Sequence, residues 1–269
     1  MPRLKVNGIS LNYEMDGEGP PVVFINGLTM DVNGWFLQVE AFSEKYRVLR
    51  YDCRGQGQSD KPDMEYSQEM HADDLKNLMD KLGIQKAHVV GISNGGMIAQ
   101  HFTLMYPEKV GALVLADTCS HIDVLLNLLV QSWIKAAETG GSELRYDVSL
   151  PVIFSEDFLK RNLDNIQLMR EFSINNNPPR AVINLANACL KHNVNARISE
   201  IKAPTLIMIG EEDILIPLKY SKLLHEMIEG SRLVILKNCG HVPPIEKPEE
   251  FNSIVLTFLK GYDSLVVSP

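Results

Sequence analysis

The chain has 269 residues, of which 45% are hydrophobic and 22% are charged, and its formal net charge is −8. The composition is typical of a globular protein, and the length suits one large α/β domain or a core domain with an inserted segment. A negative net charge without a basic cluster argues against nucleic acid and anionic membrane surfaces as partners. Because the first residues form no apolar signal core and no apolar run reaches transmembrane length, we expect a cytoplasmic protein.

The four cysteines are far apart in the sequence and form no C-x-x-C pair; they are Cys53, Cys119, Cys189 and Cys239. This spacing indicates neither a disulfide framework nor a zinc site. We therefore expect buried thiols that fill apolar space, and we expect no bound metal and no cofactor.

The N-terminal part of the chain predicts the first strands of a sheet. Residues 4–13 indicate a hairpin, because Asn7-Gly8 lies between two alternating stretches. Residues 22–25 are continuously apolar, as in a strand that is covered on both faces, and residues 46–52 predict another strand.

A glycine-rich loop follows at residues 53–62 and lacks the Gly-Lys-Ser/Thr ending of a phosphate-binding loop. We expect Arg54 to brace this loop by pairing with Asp52 or Asp60.

Residues 67–82 predict an amphipathic helix that ends at Gly83, and residues 110–116 predict a further strand. Strands that alternate with helices at this spacing predict a mostly parallel sheet with helices on both faces.

The central motif is Gly91-Ile92-Ser93-Asn94-Gly95, which lies between an apolar run and a helical pattern and matches G-x-S-x-G. A serine on a sharp strand-to-helix turn adopts strained backbone angles, and its hydroxyl then stands clear of the sheet. Glycines on either side let the strand and the helix approach without a Cβ clash. The pentapeptide alone is a weak signal, since a glycine-rich turn explains it equally well.

The alternation of strands and helices stops at residue 119. From there to about residue 201 the sequence predicts only helices, over residues 124–139, 156–173 and 179–192, with breaks at Gly140-Gly141, Leu150-Pro151 and residues 175–179.

We interpret residues 119–201 as a helical cap that is inserted into a core formed by residues 1–118 and 202–269. The first helix of the segment is more apolar than a solvated helix needs to be. Additional core packing is the alternative interpretation, and it must hold in part.

The sheet pattern resumes after Ala203-Pro204. Residues 205–209 and 232–236 predict the last two strands, and residues 218–228 and 248–260 predict helices.

Three polar residues come just beyond predicted strands, namely Ser93, Asp213 and His241. Parallel strands end at one edge of a sheet, so loops that are distant in sequence can meet there. We expect Ser93 to be a nucleophile, His241 its general base and Asp213 the group that orients the imidazole. The order Ser, Asp, His is the one expected for a nucleophile-elbow hydrolase. Asp117, at the end of the preceding strand, is the alternative acid.

An acyl-transfer site also needs N–H donors for the oxyanion, and we expect the backbone amides of Leu28 and Asn94 in this role. A plain strand-to-helix turn is the alternative interpretation of the loop that carries Leu28. The expected substrate pocket comprises Asn26, Gly27, Ile122, Leu126, Trp133, Ile214 and Val242.

With these motifs the chain resembles the α/β-hydrolase superfamily over almost its whole length. The residues that carry the resemblance are Gly91-Ile92-Ser93-Asn94-Gly95-Gly96, residues 52–59, Gly210-Glu211-Glu212-Asp213 and Gly240-His241-Val242-Pro243. The resemblance implies an α/β-hydrolase fold, with a mostly parallel sheet of the eight-stranded type, helices on both faces and an inserted helical cap.

Within the superfamily the chain looks most like 3-oxoadipate enol-lactonases and small carboxylesterases. It has Asn26-Gly27-Leu28 where many relatives have His-Gly, and Gln56 replaces a histidine that is common in its loop. Because position 93 is serine, the chain is not an aspartate-nucleophile dehalogenase.

The hypothesis is therefore a cofactor-free hydrolase of small carboxylic esters or lactones, acting as a monomer or a homodimer without nucleic-acid or membrane partners. A perhydrolase or carbon–carbon bond hydrolase with the same three residues is one alternative. A ligand-binding signalling protein on the same scaffold is the other.

Overall fold

The computed structural model describes residues 2–266, and these contain one eight-stranded sheet. Met1 and residues 267–269, at the outer ends of the predicted core segments, lie outside the described residues. The strands are β1 (Arg3–Val6), β2 (Ile9–Asp16), β3 (Pro21–Ile25), β4 (Arg47–Tyr51), β5 (Ala87–Ile92), β6 (Val110–Ala116), β7 (Thr205–Gly210) and β8 (Arg232–Leu236).

The strand order is β1-β2-β4-β3-β5-β6-β7-β8. β2 pairs antiparallel with β1 and with β4, whereas the remaining neighbours pair parallel. The predicted hairpin is confirmed, because Val6 pairs with Ile9 across Asn7-Gly8. The predicted mostly parallel sheet is confirmed as well.

The helices of the described residues are α1 (Phe36–Ser43), α2 (Gln68–Lys81), α3 (Asn94–Met105), α4 (Val124–Ile153), α5 (Glu156–Asn176), α6 (Pro179–Leu190), α7 (Leu218–Met227), α8 (Pro243–Glu246) and α9 (Pro248–Lys260). Short 3₁₀ turns lie at Val32–Trp35, Pro107–Lys109, Ile198–Glu200 and Asp263–Leu265. Within residues 2–266, no helix combines the length and apolar character that a membrane crossing requires.

The central strands of the sheet are buried on both faces, as their continuous apolar sequences predict. Val23 and Ile25 of β3 pack with residues of α2, α3 and α7 on one face. Val22 and Phe24 point to the other face and pack with residues of α1 and α9. Alternate side chains of a strand point to opposite faces, so a single apolar run serves two cores.

The segment between β6 and β7 contains α4, α5 and α6. The predicted break at Gly140-Gly141 is present, with Gly141 at φ 67° and ψ −160°. The predicted break at Leu150-Pro151 is wrong, since Pro151 lies inside α4. The helix ends at Ile153, two residues later, so the missing proline N–H costs only one hydrogen bond near a terminus. The predicted break at residues 175–179 is shorter in the structure, because α5 continues to Asn176.

The glycine-rich loop is braced differently from the prediction. Arg54 does not pair with Asp52 or Asp60; it donates from Nε and Nη2 to the two carboxylate oxygens of Asp74 on α2, at 2.9 and 2.8 Å. Asp60 pairs instead with Arg3, and Asp52 accepts from Asn12 and from two backbone amides. Asp74 is far from Arg54 in sequence, and only the packing of α2 brings them together.

The Arg54–Asp74 pair yields a stability prediction, since both side chains are almost fully buried. Arg54→Met leaves the Asp74 carboxylate buried without its cation, which typically costs about 3–5 kcal/mol. We expect the double variant Arg54→Met/Asp74→Leu to recover most of that loss, as measured by urea unfolding. Arg180→Met, which breaks the exposed pair with Asp63, is the matched control and should change stability little. A single variant as stable as the parent contradicts the prediction.

Candidate active site

Ser93 occupies a strained turn between β5 and α3. Its backbone has φ 54° and ψ −120°, a conformation that L-residues rarely adopt. A Cβ on Gly91 would lie 2.3 Å from the Gly95 carbonyl oxygen, and a Cβ on Gly95 would lie 2.1 Å from the Ile25 carbonyl oxygen. The two glycines of the motif are therefore required by backbone contacts. The turn is tied down by the Ser93 amide, which donates to Ala116 O at 2.9 Å.

His241 and Asp213 are joined by a hydrogen bond. His241 Nδ1 lies 2.8 Å from Asp213 Oδ2, and because a carboxylate only accepts, Nδ1 carries the proton. The second oxygen of Asp213 accepts from the amides of Leu215 and Ile216, each at 2.9 Å. Both residues are almost fully buried. The carboxylate is thus held rigidly, and the His241 Nε2 is left for another partner.

The loop that carries His241 is fastened to the junction between α4 and α5. The His241 amide donates to Ile153 O at 2.9 Å. The buried Glu246 carboxylate accepts from the Gly240 amide at 3.1 Å and from the Ser155 hydroxyl at 2.5 Å. No sequence motif pointed to Glu246, because its partners come from two distant parts of the chain.

Asp117 lies beside Asp213 but does not bond to the imidazole. Its Oδ1 accepts from the Gly210 amide at 2.9 Å. Complete burial, together with the negative charge of Asp213, raises the pKa of Asp117 well above that of an ordinary carboxyl. Donor atoms of Asp117, Asp213 and His241 lie within 4.8 Å of one another, as in a metal site. The hydrogen bond between Asp213 and His241 already accounts for the closeness of that pair.

Hydrogen bonds of buried side chains hold the loop after β3 in place. The Asn26 side chain is completely buried, donating to Tyr51 O and accepting from Trp35 Nε1. Gln56 Nε2 donates to Gly27 O at 2.7 Å, which fixes the loop at Leu28. Gln56, which departs from the common histidine, therefore has a structural partner here.

Asn94 turns its side chain away from the site. Its Oδ1 accepts from Gln68 Nε2 at 2.8 Å and from Cys189 Sγ at 3.1 Å. Its backbone N–H is the first of α3, a position where an amide has no acceptor within its own helix.

Ser93 and His241 line one cavity of about 480 Å³ that is bounded by the strand-end loops, α4 and α5. Leu28, Gly27, Trp133 and Val242, all expected at the site, line it too.

The other four residues of the expected pocket do not line this cavity. Asn26 lies beneath the loop, Ile122 and Leu126 pack in an apolar cluster with Met97 and Cys119, and Ile214 is 60% exposed. Leu215 lines the cavity instead of Ile214. Asp213 Oδ1 accepts from the Leu215 amide, and in this turn Leu215 lies at the cavity.

Several lining residues were not predicted from the sequence. On α5 they are Met169, Phe172, Ser173 and Asn176, and on α4 they are Arg145, Tyr146, Ser149, Leu150 and Ile153. The spacing on α5 is i, i+3, i+4, i+7, so one helical face contacts the cavity. That periodicity was present in the sequence, but it did not reveal which face would meet the site.

The comparisons with known proteins agree with this architecture. Residues 20–248 match the family model described as alpha/beta hydrolase fold. The chain is 28% identical to 3-oxoadipate enol-lactonase 1 of Acinetobacter baylyi, over 94% of each chain. It is 30% identical to 2-hydroxy-6-oxo-6-phenylhexa-2,4-dienoate hydrolase of Comamonas testosteroni, over 93% of this chain and 91% of that protein. The crystal structure of MGS-M2, an alpha/beta hydrolase enzyme from a Medee basin deep-sea metagenome library, superposes with a TM-score of 0.92 at 32% identity, covering 96% and 97% of the two chains.

Asp117 yields a prediction about pH. Below the ordinary carboxyl pKa of 3.8, Asp117 is protonated in both the folded and the unfolded chain. As pH rises above that value the unfolded chain releases the proton and the folded chain keeps it, so stability falls. Asp117→Asn cannot titrate, and we expect its stability relative to the parent to increase as pH rises above about 4.

Urea unfolding at several pH values measures this difference. Asp164→Asn, which removes one exposed carboxylate from α5, is the matched control. A difference that stays flat or shrinks as pH rises argues against the assignment.

Proposed function

The chain belongs to the α/β-hydrolase fold family, and from this premise we propose that it is a serine hydrolase of carboxylic esters or lactones that works through an acyl-enzyme. One observation carries the proposal. A serine held in a strained turn shares a cavity with a histidine whose Nδ1 is hydrogen-bonded to a rigidly held carboxylate.

The proposed roles follow from the bonding pattern. His241 Nε2 takes the proton of Ser93 as Oγ attacks the substrate carbonyl carbon. Asp213 keeps the Nδ1–H tautomer and stabilises the imidazolium. The tetrahedral intermediate then expels the alcohol, which takes the proton from His241. Water repeats the attack on the acyl-enzyme and releases the acid.

The backbone amides of Leu28 and Asn94 are the proposed oxyanion donors. Leu28 lines the cavity with Ser93, and Asn94 contributes the first amide of α3, where the helix dipole adds positive potential. One such donor typically contributes about 3 kcal/mol to stabilisation of the transition state.

We further propose that residues 119–201 form the cap over this site. The segment supplies Trp133 from α4 and Phe172 from α5 to the cavity, and its α4–α5 junction is bonded to the His241 loop. A small substrate with an apolar part suits these walls, and the reaction needs no cofactor.

Carbon–carbon bond hydrolysis is a second candidate. The Comamonas testosteroni relative is named for a substrate that contains no ester bond, and this name supports a carbon–carbon bond as the alternative target of the proposed site. Assays on a short p-nitrophenyl ester and on a vinylogous diketone separate the two reactions.

We expect Ser93→Ala to abolish turnover of the preferred substrate, because no hydroxyl remains to form the acyl-enzyme. Fluorophosphonate labelling followed by peptide mass spectrometry should place the label on Ser93 in the parent and nowhere in the variant. Ser173→Ala, which removes another hydroxyl from the cavity wall, should retain the label. Unchanged turnover in Ser93→Ala defeats the proposal.

A second prediction separates the two acids. Asp213→Asn should lower kcat by about 10⁴-fold, since an amide in place of the carboxylate favours the wrong imidazole tautomer. Asp117→Asn should retain most activity, because Asp117 bonds to the Gly210 amide and not to the imidazole, and the amide oxygen of asparagine can accept the same bond. Steady-state kinetics on one ester measures both, and the reverse ranking would assign the role to Asp117.

A further inference from the structure

The two proposed oxyanion donors are N–H groups of peptides whose carbonyls accept hydrogen bonds. The Leu28 N–H shares its peptide with the Gly27 carbonyl, and the Asn94 N–H shares its peptide with the Ser93 carbonyl. Both peptides are trans, so the N–H and the C=O of each point in opposite directions within one rigid plane. A group that fixes the direction of the carbonyl therefore also fixes the direction of the N–H.

The Gly27 carbonyl accepts two hydrogen bonds. Gln56 Nε2 donates to it at 2.7 Å, and the Met30 amide donates to it at 3.2 Å. Met30 belongs to the same turn as Leu28, whereas Gln56 comes from the glycine-rich loop after β4 and is completely buried. Gln56 therefore ties the peptide of the Leu28 N–H to a neighbouring loop.

The Ser93 carbonyl is held in the same way. Thr118 Oγ1 donates to it at 2.8 Å, and the Met97 amide donates to it at 3.1 Å as the first bond of α3. Thr118 lies just beyond β6 and is only 1% exposed. A Cβ on Gly96 would lie 2.7 Å from the Thr118 Cβ, so this glycine leaves room for the threonine.

The two peptides thus share one arrangement. Each carbonyl accepts from one amide of its own turn and from one buried side chain of another loop. Hydrogen bonds to a carbonyl also polarise its peptide, which makes the N–H at the other end a stronger donor. Donors that are oriented before the substrate arrives are what make an oxyanion site effective.

We propose that Gln56 and Thr118 are the positioning residues of the oxyanion site, where each orients and polarises one of the two donor amides. This inference rests on the proposed hydrolase function and deepens it. Both side chains act through a peptide and not on the substrate. Their loss should therefore weaken stabilisation of the negatively charged intermediate and leave binding of the uncharged substrate nearly unchanged.

The first test removes each donor with little change in side-chain size, in Gln56→Met and in Thr118→Val. We expect each variant to lower kcat by about 10–100-fold, somewhat less than complete loss of an oxyanion donor typically does. KM for a short p-nitrophenyl ester should stay within about twofold of the parent value. Thr118→Ser keeps the hydroxyl and should restore most of kcat.

The second test uses a trifluoromethyl ketone. Ser93 Oγ adds to its carbonyl carbon, the hydroxyl proton passes to His241 Nε2, and the ketone oxygen becomes an oxyanion. Its Ki should rise in each variant by about the factor by which kcat/KM falls. Ki for the corresponding secondary alcohol, which forms no adduct, should not change. The ratio of the two Ki values does not depend on the fraction of folded enzyme, so a destabilised variant still gives an answer.

Two other buried side chains provide matched controls. Thr103 Oγ1 donates to Ala99 O at 2.7 Å, and Gln38 Nε2 donates to Pro244 O at 2.9 Å. Both residues are almost fully buried, but neither bonds to the peptide of a proposed oxyanion donor. Thr103→Val and Gln38→Met should keep the parental kcat and the parental ratio of Ki values.

The outcomes are distinguishable from those of the broader proposal. If fluorophosphonate labels Ser93 in the parent and esters are hydrolysed, but the ratio of Ki values does not change in Gln56→Met and Thr118→Val, the positioning proposal alone is overturned. A loss in Thr118→Val that Thr118→Ser does not restore contradicts the role of the hydroxyl. If Ser93 is not labelled and no ester is hydrolysed, the hydrolase proposal itself fails.

Discussion

The close approach of β5 and α3 is the constraint on which the site depends. Gly91 and Gly95 carry no Cβ, so backbone atoms occupy the space that a Cβ would need. The chain can therefore reverse within a few residues at Ser93. The carbonyl of Ile25 on β3 fills part of that space, so the turn is locked by a neighbouring strand as well as by its own residues. The cost in backbone strain at Ser93 is offset by the packing of the whole sheet around it.

The other polar residues of the site follow strands that come later in the chain than the turn at Ser93. Parallel pairing of β6, β7 and β8 places Asp117, Asp213 and His241 at the same edge. The two buried carboxyls lie close together, and their hydrogen bonds differ. Asp213 accepts from the imidazole and from two amides, whereas burial and the neighbouring Asp213 raise the pKa of Asp117. Environment, and not residue type, separates the two aspartates.

The helices between β6 and β7 connect the cavity to the sheet edge. Their junction bonds to the His241 backbone and to Glu246, so these helices help to hold the loop that carries the imidazole. The same helices bring Arg145 into the cavity with an incomplete set of partners. Arg54, by contrast, is paired with the Asp74 carboxylate inside the core. The chain therefore supplies a carboxylate partner to a buried arginine whose role is structural.

The sequence alone determined the local features: the hairpin at Asn7-Gly8, the strained turn at Ser93, the alternation that produces a parallel sheet, and the strand ends that carry Asp213 and His241. Each depends on residues within a few positions of one another, where periodicity and glycine placement act directly. Only the tertiary structure decided that Arg54 pairs with Asp74, that Leu215 rather than Ile214 lines the cavity, that burial raises the pKa of Asp117, and that Nε and Nη2 of Arg145 have no hydrogen-bond partner among the described residues. These outcomes depend on which helix face meets the sheet edge and on how completely each charge is desolvated. Both are properties of the packed chain, because they arise from residues that are distant in sequence.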